Sequence, residues 1–154
     1  MTQEQNGPAN TPDCFFCRRR AGGEEDPVGG YLYEDEHFLV GHGLLDMSEP
    51  GSMLVESRRH VLDPGDMTED ELRSLNALIP RFYRAMHDGL DVERVYLVAA
   101  TSSNPHFHAW LHPCNPVEGE RGVTFLARDH SCTEAEAREA SARVAERLPA
   151  RAAT

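Results

Sequence analysis

The sequence predicts an α+β domain in which short strands precede one long amphipathic helix, two further strands and a terminal helix. Three observations carry this reading. Strand-like runs adjacent in sequence favour an antiparallel sheet with helices packed on it. Leu72, Leu75, Leu78, Ile79, Phe82, Tyr83 and Met86 recur at three- and four-residue steps, marking the buried face of a helix. Phe107, Ala109 and Leu111 alternate with His106, His108, Trp110 and His112, so one face of a strand is apolar and the other carries imidazoles.

Residues 1–12 form a polar lead expected to be disordered, and residues 13–150 form a single domain with no internal repeat. Cys14 and Cys17 sit against a basic, Gly-rich turn in which Arg18 to Arg20 are expected to be solvated. Tyr31 to Tyr33 and Phe38 to Val40 read as two strands around an acidic turn, with His37 and His42 solvated on the hairpin. Pro50 and Gly51 make a turn before a compact strand at Met53 to Val55, which Arg58, Arg59 and His60 close. Thr68 and Glu71 form a capping box at the start of the long helix. Pro80 predicts a kink or break in it and Gly89 a stop. "RVYLVAA" is a strand by its β-branched and aromatic content, and the imidazole-bearing strand follows a Ser-Ser-Asn-Pro turn. Thr133, with Glu136 three residues on, starts the last helix, which aligns Ala137, Ala140, Val144 and Leu148. His130 falls near its cap.

A formal net charge of -11 argues against a general nucleic-acid or anionic-membrane surface, while leaving room for a small anionic ligand in a local site. No apolar run reaches the roughly 20 residues needed to span a bilayer. The N-terminus lacks the pattern of a signal peptide, which makes the cytoplasm the expected location and reduced cysteines the expected state. Cys114 and Cys132 read as inert thiols.

Two chemistries suit the imidazole row. Cys14-x-x-Cys17 places two thiolates on one tight loop, and structural zinc takes a closed tetrahedral set of cysteine and histidine. His60 and His106, both at strand edges, can complete it; the bland counterpart is a pair of buried thiols. A redox CxxC usually opens a helix in a βαβ setting, which "PDCFFCRRRAGG" does not show. The second chemistry is nucleophilic. An unliganded, oriented imidazole can attack phosphorus and split one hard displacement into two easier ones. His108 fits that role if His106 is a metal ligand; a binding-only or structural imidazole are the alternatives. His112, one step further along the strand, reads as a surface or dimer-edge histidine. Trp110 reads either as a stacking wall for a ring or as an aromatic filling a pocket.

The segment His106-Phe107-His108-Ala109-Trp110-Leu111-His112-Pro113 resembles the motif of the histidine triad (HIT) proteins, His-x-His-x-His with apolar x. The resemblance extends from Cys14 to Pro113. "CFFCRR" is similar to the family's zinc CxxC, "YEDEHFLV" to its first hairpin, "PGSMLVESRRHV" to its buried strand and closing basic-basic-histidine, and "MTEDELRSLNALIPRFYRAM" to its central helix. The resemblance implies a five-stranded antiparallel sheet with a central and a C-terminal helix, usually in a homodimer. It implies zinc held by Cys14, Cys17, His60 and His106. It also implies a nucleotidyl intermediate on His108, with nucleotide or nucleotide-like phosphates as substrates. In place of the family's phosphate-binding turn the chain has Ser102, Ser103 and Asn104, which can still donate hydrogen bonds. The third triad position is Trp110, a candidate for substrate contact; Ser52 replaces a familiar histidine, and Asp46 is the weak counterpart of a ribose-binding acid.

Overall fold

A computed structural model describes residues 11–101, 104–115 and 120–149. Five strands form one antiparallel sheet: β1 (Tyr31–Glu34), β2 (Phe38–His42), β3 (Met53–Ser57), β4 (Arg94–Val98) and β5 (His108–Cys114), in spatial order β1-β2-β3-β5-β4. Among the described residues four α-helices accompany it: α1 (Phe15–Arg20), α2 (Glu69–Leu90), α3 (Val123–Ala127) and α4 (Glu134–Ala145). Among the described residues no helix is long and apolar enough to cross a membrane. The Asp35 carboxylate shapes the β1–β2 turn by accepting from the backbone N–H groups of His37 and Phe38, both at 2.7 Å. The Ser74 hydroxyl of α2 donates to the same side chain and ties the turn to the helix.

The two faces of the sheet differ as the alternation requires. Phe38, Val40, Met53, Val55, Ala109 and Leu111 are buried against Leu75, Leu78, Phe82 and Met86 of α2 and Val144 of α4. On the opposite face β3 and β5 pair Leu54 with Trp110 and Glu56 with His108. α1 covers this second face, where Cys14, Phe16 and Cys17 cluster with Leu54 and Trp110.

The capping box of Thr68 and Glu71 is present, and α2 then runs without a break through Pro80. Pro80 is exposed, so the carbonyl that its missing N–H leaves unbonded can be hydrated, and the buried face on the other side holds the helix together. The chain leaves α2 at Asp91, in the left-handed region with φ 52°. Gly89 is therefore no stop. A Cβ there would lie 2.6 Å from the Arg143 carbonyl oxygen, and the absent side chain lets α2 and α4 touch backbone to backbone.

The structure departs from the sequence reading elsewhere in the fold as well. Cys14 N-caps α1, so the CxxC does open a helix, although a six-residue one without a βαβ unit. Arg19 is buried in an ion pair with Glu56 instead of being solvated, because β3 supplies a carboxylate 37 residues away. His42 is 1% exposed: its Nδ1–H donates to Gly43 O and its Nε2 accepts from Gly51 N–H, satisfying both nitrogens within the core. α3 was not anticipated. Residues 1–10 of the lead lie outside the described residues, and Thr11 closes a turn by accepting from the Cys14 N–H at 2.9 Å.

The contact at Gly89 reverses a general rule. Gly→Ala within a helix is ordinarily worth up to about 1 kcal/mol of stability. Gly89→Ala is expected instead to destabilise by about 1–3 kcal/mol through overpacking, measured as a lower denaturation midpoint at unchanged slope.

Candidate metal centre and imidazole cleft

Four side chains converge where α1 meets the sheet. Cys14 and Cys17 come from the start of α1, His60 from the segment after β3 and His106 from the bend before β5, and their ligand atoms all lie within 4.8 Å of one another. The helix start sets the thiol spacing, since the Cys17 N–H points at Cys14 Sγ, 3.5 Å away. Cys14 Sγ lies 3.3 Å from His106 Nδ1, Cys17 Sγ lies 3.3 Å from His60 Nδ1 and 3.6 Å from His106 Nδ1, and the two Nδ1 atoms are 3.1 Å apart. Zinc bonds of about 2.3 Å to sulfur and about 2.0–2.1 Å to nitrogen give tetrahedral edges of roughly 3.6 Å for S···N and roughly 3.3 Å for N···N. The donor set and its edges fit a structural zinc ion. The His106 ring is prepared for this: its Nε2–H donates to Ser57 O at 2.7 Å, which leaves the lone pair on Nδ1. Burial pushes its pKa down to about 4, keeping the ring neutral. Cys114 and Cys132 are not part of the cluster.

The residue that points its ring at this centre also orients the next imidazole. The His106 carbonyl oxygen accepts from His108 Nδ1–H at 2.8 Å, so the lone pair of His108 is left on Nε2. The Phe16 ring packs on the His108 ring at 4.9 Å. His108 opens on a cleft of about 320 Å³ whose apolar walls include Phe16, Leu44, Leu54 and Trp110 and whose polar groups include Arg18 and Asn104. Ser102 and Ser103 lie outside the described residues. Behind His108, Glu56 accepts from Arg19 at 2.6 Å and from the Tyr31 hydroxyl at 3.1 Å, a buried cluster that fastens α1 to the sheet. Burial still pushes the Glu56 carboxyl up from its ordinary pKa, against the pull of Arg19.

Beyond Trp110 the structure departs from expectation. His112 is 9% exposed, buried except where it lines a cavity. Its ring stacks on the indole of Trp110 at 5.2 Å and 6°, and on His130 at 5.9 Å. His130 is held by the Glu49 carboxylate at 2.8 Å and the Phe125 carbonyl at 2.9 Å, so it is a buttress of this stack and not a cap group of α4. Trp110 is pressed against Gly43, where a Cβ would come within 2.2 Å of its ring and 2.5 Å of Ser48 Oγ. Ser52 Oγ lies 3.4 Å from His112 Nδ1. Asp46 lines the cavity on the His112 side and not the His108 cleft, because the indole and Met47 stand between. Gly43 and Glu49 escaped the sequence reading, and so did the part that His130 plays in the stack. Each acts through a partner distant along the chain, and only the pairing of histidine with aromatic residues hinted at the stack.

Two outcomes follow from this geometry. Cys14→Ala is expected to lose stoichiometric zinc, read by metal analysis, and about 3 kcal/mol or more of stability, roughly 6–12 °C in Tm for a chain of this size. The second concerns acid. Burial, with the neighbouring His130 second, lowers the His112 pKa to about 4. The unfolded chain, with an imidazole near 6.5, therefore binds the proton first, so this contribution is complete above about pH 6.5 and is lost as pH falls toward 4. It amounts to about 3 kcal/mol at most, and His112→Gln should flatten that part of the stability–pH curve.

No protein-family model matches the sequence, and no curated protein matches it. Solved structures do. The chain is similar to a Zn-bound histidine triad family protein from Mycobacterium smegmatis, with a TM-score of 0.67 at 23% identity over 87% of this chain and 94% of that one. It is similar to a Hit-like protein involved in cell-cycle regulation from Bartonella henselae, with a TM-score of 0.69 at 14% identity over 90% and 98%. It is also similar to a hypothetical histidine triad nucleotide-binding protein from Sulfolobus tokodaii, with a TM-score of 0.67 at 20% identity over 87% and 91%. At these identities the comparison speaks for the backbone, and the sheet order, the helix placement and the near-complete overlap agree: this chain has the histidine triad fold.

Proposed function

We propose that the protein is a histidine triad nucleotide-phosphate hydrolase or nucleotidyl transferase that works through a covalent intermediate on His108. One observation carries the reading: the 2.8 Å bond from His108 Nδ1–H to the His106 carbonyl, which leaves a nucleophilic lone pair on Nε2 at a cleft with room for a ring and its phosphate. The nucleotide-binding relative from Sulfolobus tokodaii supports a nucleotide as ligand. The zinc-bound relative from Mycobacterium smegmatis supports zinc at Cys14, Cys17, His60 and His106, where it would serve as a structural ion holding α1 against the sheet. The family resemblance adds a homodimer, and we take the cytoplasm as its location.

In the first step His108 Nε2 donates its lone pair to phosphorus, an N–P bond forms, and the bond to the leaving group breaks with its electron pair on that group. In the second step water, or an acceptor hydroxyl or phosphate, forms the new bond to phosphorus, releases any proton to solvent, and the N–P bond breaks to restore the imidazole. Asn104, together with Ser102 and Ser103 just before it in the sequence, is assigned to the phosphate. Trp110 is assigned as a stacking wall. Its indole N–H can donate a hydrogen bond but transfers no proton at neutral pH, so leaving groups that need protonation depart about 10²–10⁴-fold more slowly than with a general acid in that place.

This same substitution favours the second reading, a zinc-stabilised scaffold that binds nucleotide-like ligands without ordinary turnover or was recruited to a different substrate. Incubation with adenosine phosphoramidate and diadenosine polyphosphates separates the two. The hydrolase reading expects AMP release that His108→Ala abolishes, a label trapped on His108 and faster turnover in Trp110→His. If zinc-loaded wild type and Trp110→His are both inert, the binding reading stands instead.

A further inference from the structure

The wall made by Trp110 and Met47 has a second side. There a cavity of about 270 Å³ is lined by Asp46, Trp110, His112, Arg128, Asp129 and His130, and His108 takes no part in it. What such a cavity can hold depends on which polar groups remain uncommitted. Its two basic groups are both committed. The Arg128 guanidinium donates to Glu49 at 2.6 Å and to Glu120 at 2.8 Å while lying over the Phe125 ring, and both nitrogens of His130 face Glu49 and Phe125 O. The acceptors are open. Asp46 and Asp129 make no ion pair or side-chain hydrogen bond among the described residues, and His112 Nε2 has no partner there. His112 is nine-tenths buried, lines the cavity and is stacked on both sides, so this imidazole is fixed in place.

We propose that this cavity is a binding site for an organic ammonium group, with Asp46 and Asp129 countering its charge at the rim, His112 Nε2 accepting one N–H bond, and the Trp110 indole covering the attached carbon skeleton. Each uncommitted polar group can accept, which suits a hydrogen-bond-donating cation. An anion would meet two open carboxylates and a guanidinium already spent on its own acids. The ring of His112 is neutral at physiological pH, since burial holds its pKa near 4. Its Nδ1 partner, the Ser52 hydroxyl, can accept as well as donate, so an ammonium selects the tautomer with the proton on Nδ1 and the lone pair on Nε2. The proposal does not depend on His108 being a nucleophile.

The chain has a single tryptophan, and it forms the wall of this cavity, so intrinsic fluorescence reports on the site directly. Phenethylammonium chloride should change the emission saturably, whereas the isosteric alcohol and carboxylate, phenethyl alcohol and phenylpropionate, should not. Because Trp110 also borders the His108 cleft, the site must be separated by variants. Asp46→Asn/Asp129→Asn should weaken the response about fivefold or more, the effect of losing two exposed charge partners. Asp13→Asn, at an aspartate that lines the His108 cleft and not this cavity, and His108→Ala should leave it within about twofold, well short of the loss expected for the aspartate pair. Both aspartates are exposed, and an unchanged melting temperature of the double variant certifies its fold. The proposal is overturned if the alcohol binds as well as the ammonium, if the ammonium response is absent, or if it survives in the double variant.

Discussion

His106 is the residue on which the rest of the site depends, because its two ends do different work. Its ring joins the thiols of α1 to His60, and its carbonyl oxygen fixes the tautomer and orientation of His108. Its remaining ring nitrogen is anchored to Ser57 O at the end of β3. One buried side chain therefore links the helix that covers the sheet, the strand that forms its floor and the imidazole that faces the cleft. A two-residue step, from the bend before β5 to its first residue, separates the histidine of the Cys2His2 cluster from the one that faces the cleft, and the two differ in which nitrogen carries the proton, Nε2 in His106 and Nδ1 in His108.

The attachment of α1 is twofold. Beside the Cys2His2 cluster, Arg19 is buried on Glu56, and Glu56 also takes the Tyr31 hydroxyl. Burying two charges recovers little net stability, but removing one partner alone leaves the other stranded, so such a pair is effective at specifying where a short helix docks. That placement decides the cleft, since Phe16 packs on both His106 and His108.

Local signals were legible in the sequence and distant ones were not. The capping boxes at Thr68 and Thr133, the periodicity of α2 and the alternation along β5 depend on residues a few positions apart, and the structure contains each of them. The cysteine pair and the two histidines that gather with it could be named from residue type and spacing, helped by a family pattern. What escaped notice depends on partners far apart in the chain. Arg19 is indistinguishable from its solvated neighbours until Glu56 is placed beneath it, and Gly89 looks like a helix stop until Arg143 arrives against it. His42 and His112 read as surface histidines because a buried imidazole needs its partners supplied by other strands and turns. Gly43 carries no sign in the sequence that an indole 67 residues later requires its missing side chain.

That missing side chain has a consequence for the two chambers. The indole is pinned between Gly43 and the His112 ring, and the same plane closes one cavity and bounds the other. It is one partition shared by two spaces, so no replacement of Trp110 can widen the His108 cleft and leave the cavity beside His112 as it was.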